Sequence, residues 1–144
     1  MKFALLLLIP LVLSADKSAE LARIEADPHA EKRARAALDY ADEILREARD
    51  AYAKGDTAAT SNDLEELEHS IELADSSLKA TGKNPSRSPK NFKSAELKIR
   101  ELLRKLDGFR EEMSVADRPV LERVLAEVQK IHDALLDSIM GKRK

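Results

Sequence analysis

Two pairs of side chains three residues apart are the first candidates for metal chemistry. Glu66 precedes His69 by three residues, and Gln129 precedes His132 by the same interval. In some four-helix bundles, two Glu-x-x-His pairs and two further glutamates converge on a di-metal centre. Here glutamine replaces one of those glutamates. At about 100° per residue, Glu66 and His69 also lie more than about 120° from the centre of their helix's apolar stripe. We therefore expect this pair to face solvent rather than to bind metal.

His132 differs because it falls on the apolar face of the last helix, beside Val128 and Leu135. The layout, with its Ser-Pro loop between two hairpins, resembles that of the periplasmic four-helix-bundle cytochromes. That resemblance implies a haem held by a methionine on the first helix and a histidine on the last. In this chain the first long helix has no methionine, and no Cys-x-x-Cys-His motif occurs. A haem or metal site on His132 is therefore the alternative hypothesis, and a histidine at the edge of the core is the leading one.

Other catalytic chemistry has little support in the sequence. The chain contains three His, no Cys and four Gly, and those glycines form no phosphate-binding array. No Gly-x-Ser-x-Gly segment is present either. We therefore predict a protein that is not an enzyme and that has no cofactor.

A basic strip surrounds the loop between the hairpins and could bind an anionic partner. Its members are Lys83, Arg87, Lys90, Lys93, Lys98 and Arg100. Aromatic residues make up only 3% of the chain, which argues against base stacking by this strip, and nucleic acid is the less favoured partner. A solvated, solubilising loop is the simpler interpretation of the same charges.

The first residues predict export. Lys2, an apolar run and the small pair Ser14 and Ala15 have the order of a cleavable signal peptide, residues 1–15, with cleavage after Ser14 or Ala15. The apolar run is about half of the roughly 20 residues that a membrane-spanning helix needs, and Pro10 interrupts it. We expect residues 16–144 to be exported, to the bacterial periplasm or beyond the cell, without a stable membrane anchor.

Residues 16–144 predict one all-α domain. A short helical lead-in, 18–26, precedes a first hairpin at 28–81, a linker at 82–91, a second hairpin at 92–140 and a basic tail at 141–144. Each long helix carries apolar residues at alternating spacings of three and four, and the third shows a coiled-coil heptad pattern. Asp27 is predicted as the N-cap of the first long helix, with Pro28 in its first turn. We expect an antiparallel up-down-up-down four-helix bundle, monomeric rather than dimeric. Faint internal repeats leave duplication of a hairpin open.

The two hairpins have opposite charge. Residues 16–81 contain 9 Lys and Arg against 17 Asp and Glu, a net charge of −8, whereas residues 82–144 contain 15 against 10, a net charge of +5. We expect this asymmetry to help the hairpins dock. Because the sequence carries no catalytic motif and because grooves between helices accept amphipathic partners, we predict a macromolecular interaction protein or envelope accessory factor, with an unknown protein or envelope component as its partner.

Overall fold

Four long helices and one shorter helix make up the structure, a computed structural model that describes residues 12–141, with side chains from residue 19 onward. Along this part of the chain every regular element is helical. The elements are α1 (Val12–Glu25), α2 (Ala30–Ala53), α3 (Thr57–Ala80), α4 (Lys90–Glu112), a 3₁₀ turn (Val115–Asp117) and α5 (Arg118–Ile139). None of the helices described is both long enough and apolar enough to cross a bilayer.

The predicted signal peptide, 1–15, lies mostly outside the described residues. Its last four residues, 12–15, form the start of α1. The predicted lead-in helix corresponds to the rest of α1, which packs against α2 and α3. Leu21 and Ile24 make this contact as half-buried side chains beside the core.

The predicted N-cap of the first long helix is wrong by two residues. The helix begins at Ala30, and His29 is its N-cap, without a side-chain cap bond. Asp27 instead closes the preceding turn, because its carboxylate accepts a 2.9 Å hydrogen bond from the backbone N–H of His29. Pro28 therefore lies before the helix rather than inside its first turn. At α3 the N-cap is Asp56, whose carboxylate accepts a 3.0 Å hydrogen bond from the N–H of Ala59.

The first hairpin packs closely because its seam is built from small side chains. Ala34, Ala37, Ala41 and Ala48 of α2 are buried, and α3 buries small polar residues along the facing side. The hydroxyl of Ser70 donates a 2.5 Å hydrogen bond to the carbonyl oxygen of Ala37. The backbones of α2 and α3 approach closely along their length, as small side chains permit.

The second hairpin is wider, since large side chains fill the space between α4 and α5. The buried residues of this pair include Phe92, Ile99, Leu102, Leu106, Phe109, Leu121, Val124, Val128 and Leu135. The backbones of α4 and α5 make fewer close approaches than those of α2 and α3.

The hairpins stack so that helices running in the same direction are neighbours. Ion pairs join Glu31 to Lys83 and Asp39 to Lys98, and further along join Asp42 to Lys105 at 2.7 Å and Arg49 to Glu112. From one ion pair to the next, the residue number increases in the first hairpin and in the second hairpin alike, so α2 and α4 run parallel. Arg123 of α5 likewise contacts Glu68 of α3 at 3.0 Å. Four of these five pairs place the acid on the first hairpin, as the opposite net charges predict.

Tyr52 joins the two hairpins at the end of the molecule where α2 and α4 finish. Its hydroxyl accepts a 2.8 Å hydrogen bond from the N–H of Ser114 and donates a 3.0 Å bond to Asp117. Its ring contacts Phe109 edge-on, with 5.8 Å between centroids. One side chain of α2 therefore holds the turn between α4 and α5.

Candidate functional site

Glu66 and His69, the candidate metal pair that was expected to face solvent, differ in exposure. His69 is exposed, whereas Glu66 is half-buried and accepts a 3.3 Å hydrogen bond from the hydroxyl of Tyr40. Burial and the neighbouring Glu66 charge raise the pKa of Tyr40. Among the residues described, no group of three His, Cys, Asp or Glu side chains converges as a metal site would require.

His132 lies in a buried charged cluster between α4 and α5, formed with Glu96 and Arg100. Nε2 of His132 is 2.8 Å from Oε1 of Glu96. The same oxygen accepts hydrogen bonds of 2.9 Å and 2.5 Å from Nε and Nη2 of Arg100. Glu96 is 4% exposed and His132 is 8% exposed, whereas the side chain of Arg100 extends into solvent. The hydrogen bonds from His132 and Arg100 therefore hold the Glu96 carboxylate at the edge of the apolar core.

The hydrogen bonds of this cluster keep Glu96 charged. Burial raises the pKa of the Glu96 carboxyl, but the hydrogen bonds from His132 and Arg100 outweigh burial and leave that pKa below its ordinary value of 4.5. Because an ionised carboxylate only accepts, Nε2 of His132 is the donor at neutral pH.

The geometry does not favour His132 as a haem ligand. Nε2 is already bonded to Glu96, and Nδ1 is buried without a hydrogen-bond partner in the described part of the chain. The nearest carboxylate to Nδ1 is that of exposed Asp133, at 3.6 Å. A ligand at either nitrogen would have to break the Glu96 contact or enter the packed helix interface.

Sequence reasoning found His132 but missed Glu96. Two signals were present: Glu96 flanks the apolar stripe of α4 beside Ala95 and Ile99, and it precedes Arg100 by the four residues that suit a helical ion pair. Neither signal shows which residue of another helix lies opposite, so the contact with His132 emerges only from the packing of α4 against α5.

The basic strip divides into two groups. Lys83 pairs with Glu31, Lys98 with Asp39 and Arg100 with Glu96, so these three cations serve contacts within the protein. The other three, Arg87, Lys90 and Lys93, are exposed and form no ion pair with any described residue. The strip is thus not one continuous surface.

The unpaired group lies at the end of the molecule where the inter-hairpin loop turns. Asn84 shapes this loop: its side chain accepts hydrogen bonds from the N–H and hydroxyl of Ser86, and its carbonyl oxygen accepts a 3.2 Å bond from the N–H of Arg87. Gly141, at the end of α5, lies against the same loop, since a methyl group on Gly141 would be 3.7 Å from Cβ of Ser86. The helices therefore bring two distant parts of the sequence together here.

The residues that follow Gly141 in the sequence are Lys142, Arg143 and Lys144, which lie outside the described residues. We call the three exposed and unpaired basic residues of the loop and the start of α4, Arg87, Lys90 and Lys93, the cationic end. Met140, the residue before Gly141, is an apolar side chain that is 59% exposed.

The chain matches no known protein-family model, and neither a curated protein nor a solved structure is significantly similar to it.

Proposed function

We propose that this protein is an exported, non-enzymatic four-helix bundle that binds an anionic component of the cell envelope through its cationic end. The signal-peptide pattern of residues 1–15 supports export. The ring of contacts in which α2 meets α3 and α4, and α5 meets α4 and α3, supports a bundle, with α1 packed on its outside. The sequence, with no Cys and no catalytic motif, supports a binding role.

One observation carries the binding proposal. Internal contacts use Lys83, Lys98 and Arg100, whereas Arg87, Lys90 and Lys93 stay exposed and unpaired among the described residues. Internal ion pairs, two between the hairpins and one within α4, therefore account for half of the basic strip and leave the other half available. Cations that are not neutralised internally attract anionic partners, and the attraction falls as salt screens it.

Retention on immobilised heparin, a soluble-polyanion probe, tests the proposal. We expect the protein to be retained at about 0.15 M salt and released at higher salt. The double variant Lys90→Glu, Lys93→Glu should pass through the column. The matched control is Arg46→Glu with Arg104→Glu, which makes the same change in net charge at exposed positions away from the cationic end.

Two results would overturn this proposal. Equal loss of retention in the control pair would show that net charge alone governs binding. Failure of the unaltered protein to bind any anionic probe would remove the proposed activity. Export has its own test: the protein isolated from the exported fraction should begin at Ala15 or Asp16.

A cofactor-binding bundle centred on His132 is the weaker alternative. It requires a ligand at a ring whose Nε2 is 2.8 Å from Glu96. A Soret absorption band in the purified protein, lost on His132→Ala, would favour it over the binding proposal.

A further inference from the structure

We propose that two copies of this protein bind each other through the outward face of α4, with the two α4 helices antiparallel. The residues of this face recur at intervals of three and four, so they share one side of the helix, opposite the side that packs on the core. We call them the α4 face. Its members, all exposed, are Lys90, Lys93, Leu97, Arg100, Arg104, Asp107, Gly108 and Glu111.

The first support is the order of charges along the α4 face. Lys90 and Lys93 lie near its start, whereas Asp107 and Glu111 lie near its end. When a second copy lies antiparallel about a two-fold axis at the middle of α4, the start of each face meets the end of the other. Lys90 then lies opposite Glu111 of the second copy. Lys93 likewise lies opposite Asp107, and symmetry forms each pair twice. The face is therefore complementary in charge to a second copy of itself.

These two carboxylates are free to change partners. Within one copy Asp107 and Glu111 form ion pairs with Arg110, at 2.9 Å and 3.2 Å. Both carboxylates are exposed, and exposed ion pairs contribute little to stability. A second copy therefore displaces these contacts at little cost.

The second support is an apolar side chain near the middle of the α4 face. Leu97 is 56% exposed, and with Arg100, Glu101 and Arg104 it lines a shallow hollow of about 230 Å³. In the antiparallel arrangement Leu97 lies opposite Arg104 of the second copy, whose aliphatic stem covers it. The contact removes the same apolar surface from water twice, once in each copy.

The third support is a glycine inside the helix. Glycine favours the helix less than any other residue except proline, and Gly108 lies within α4. A methyl group on Gly108 would meet no described atom of another part of the same copy within 4 Å, so packing inside one copy does not require a glycine. In the antiparallel arrangement Gly108 lies beside Lys93 of the second copy. The missing side chain lets the two helices approach closely there.

Arg100 lies nearest the two-fold axis, so its two copies come close together. Each Arg100 is paired at 2.5 Å with the buried carboxylate of Glu96 in its own copy. The like charges are therefore balanced before the copies meet. One helix from each copy gives an interface smaller than the roughly 1,200 Å² of most stable complexes, so we expect a weak dimer that forms as concentration rises.

The dimer uses two residues of the cationic end, Lys90 and Lys93. A second copy and a polyanion therefore compete for them, and heparin should dissociate the dimer. The dimer itself does not depend on the proposed function, because its charges are matched within the α4 face.

Sedimentation velocity of the purified protein over a range of concentrations tests this inference. We expect a monomer–dimer equilibrium at about 0.1 M salt that shifts toward monomer as salt rises. Lys90→Glu with Lys93→Glu should weaken dimerisation by about tenfold or more, because four attractions become repulsions. Adding Asp107→Lys and Glu111→Lys to that variant reverses all the charges, keeps the net charge of the unaltered protein and should restore dimerisation.

The matched control is Arg35→Glu with Arg46→Glu, at exposed positions of α2. It changes the net charge as much as the double variant on α4 does, and it should leave the dissociation constant of the dimer within about threefold of the unaltered value. Circular dichroism of each variant confirms that the helices are intact.

Two single variants examine the middle of the interface. Leu97→Ser should weaken the dimer by about tenfold, since the apolar contact is lost in both copies. Gly108→Gln should act in opposite directions on the two measurements. It should raise the thermal midpoint of the monomer, because glutamine favours the helix, and weaken the dimer by about fivefold or more, because its side chain separates the helices.

Single cysteines determine the direction of pairing, because the chain has no Cys of its own. Arg100→Cys places the two thiols near the axis, and oxidation should link the copies by a disulfide. Lys90→Cys places them about 30 Å apart in the antiparallel arrangement, so it should not cross-link. A parallel dimer would cross-link at both positions.

Three outcomes would overturn the inference. The first is sedimentation as a monomer at every concentration and salt. The second is a dimer that Lys90→Glu with Lys93→Glu leaves intact, or that the control on α2 weakens equally. The third is a fully charge-reversed variant that keeps its helices but stays monomeric. Cross-linking through Lys90→Cys would contradict the antiparallel arrangement. Retention of the unaltered protein on heparin is a separate measurement, and its failure would remove the proposed function alone.

Discussion

The helices of the first hairpin, α2 and α3, approach each other more closely than those of the second, α4 and α5. The first hairpin buries alanine and serine beside its leucine and isoleucine, whereas the second buries mainly phenylalanine, leucine, isoleucine and valine. In the first, a side-chain hydroxyl reaches a backbone carbonyl of the other helix, from Ser70 to Ala37. In the second, the contact between helices includes the buried pair of Glu96 and His132. Small side chains thus give stability through close backbone approach, and large ones through apolar volume.

This difference predicts that the two hairpins respond in opposite ways to changes in side-chain size. Truncation should be most harmful in the second hairpin, and enlargement should be harmful in the first. Three variants test the comparison, beginning with the largest expected effect.

Phe109→Ala should cause the largest loss of stability. Phe109 is fully buried and packs edge-on against Tyr52, which links α2 to the second hairpin. Removing the ring leaves a cavity, and we expect the free energy of unfolding to fall by about 3–5 kcal/mol. Urea denaturation followed by circular dichroism measures this change. Leu97→Ala, at a site 56% exposed on the same helix, should change stability by less than about 0.5 kcal/mol. Similar losses in both variants would contradict the assignment of the core.

Ala37→Leu should be the next most harmful change. Ala37 is fully buried where Ser70 of α3 bonds its carbonyl oxygen, so added atoms would push the two helices apart. We expect a loss of about 1–3 kcal/mol, measured by the same denaturation experiment. Ala126→Leu, on the exposed face of α5, adds the same atoms without a neighbour to displace and is the control. If Ala37→Leu were as stable as its control, the close seam would not be a requirement of the first hairpin.

Glu96→Gln should have a smaller effect, and one that depends on pH. The amide keeps the shape of the carboxylate but weakens its bonds to His132 and Arg100, so we expect a loss of about 1–2 kcal/mol at pH 7. The folded-state pKa of Glu96 is lowered from 4.5. Its stabilisation is therefore present above about pH 4.5 and is lost as pH falls through the lower, folded-state pKa.

Denaturation at several pH values measures this dependence. The difference in stability between Glu96→Gln and the unaltered protein should shrink steadily below about pH 4.5. Glu122→Gln removes an exposed carboxylate from α5 and should have little effect at any pH. A difference that stayed constant into acid would show that the charge of Glu96 is not what stabilises the interface.

Much of the helical architecture follows from local patterns. The spacing of apolar residues predicts all four long helices. The start of α2 was predicted less well. Asp27 and Pro28 suit the first turn of a helix, but they suit the turn that precedes a helix equally well. Which of these roles Asp27 takes depends on whether its carboxylate meets the N–H of His29.

The candidate sites were predictable only in part. The sequence could not show that Lys98 is paired while Lys90, eight residues before it, is not. Helix geometry places Lys98 toward α2, where Asp39 is its partner, but the identity of that neighbour depends on how the hairpins stack.

The sequence by itself determined the helices, their apolar faces and the opposite charges of the hairpins, because these properties depend on residues within a few turns of one another. Only the tertiary structure decided that α2 runs beside α4, that Glu96 meets His132, and that Gly141 returns to the basic loop at Ser86. Those contacts join residues that are far apart along the chain, and they depend on how side chains of different size fill the space between helices.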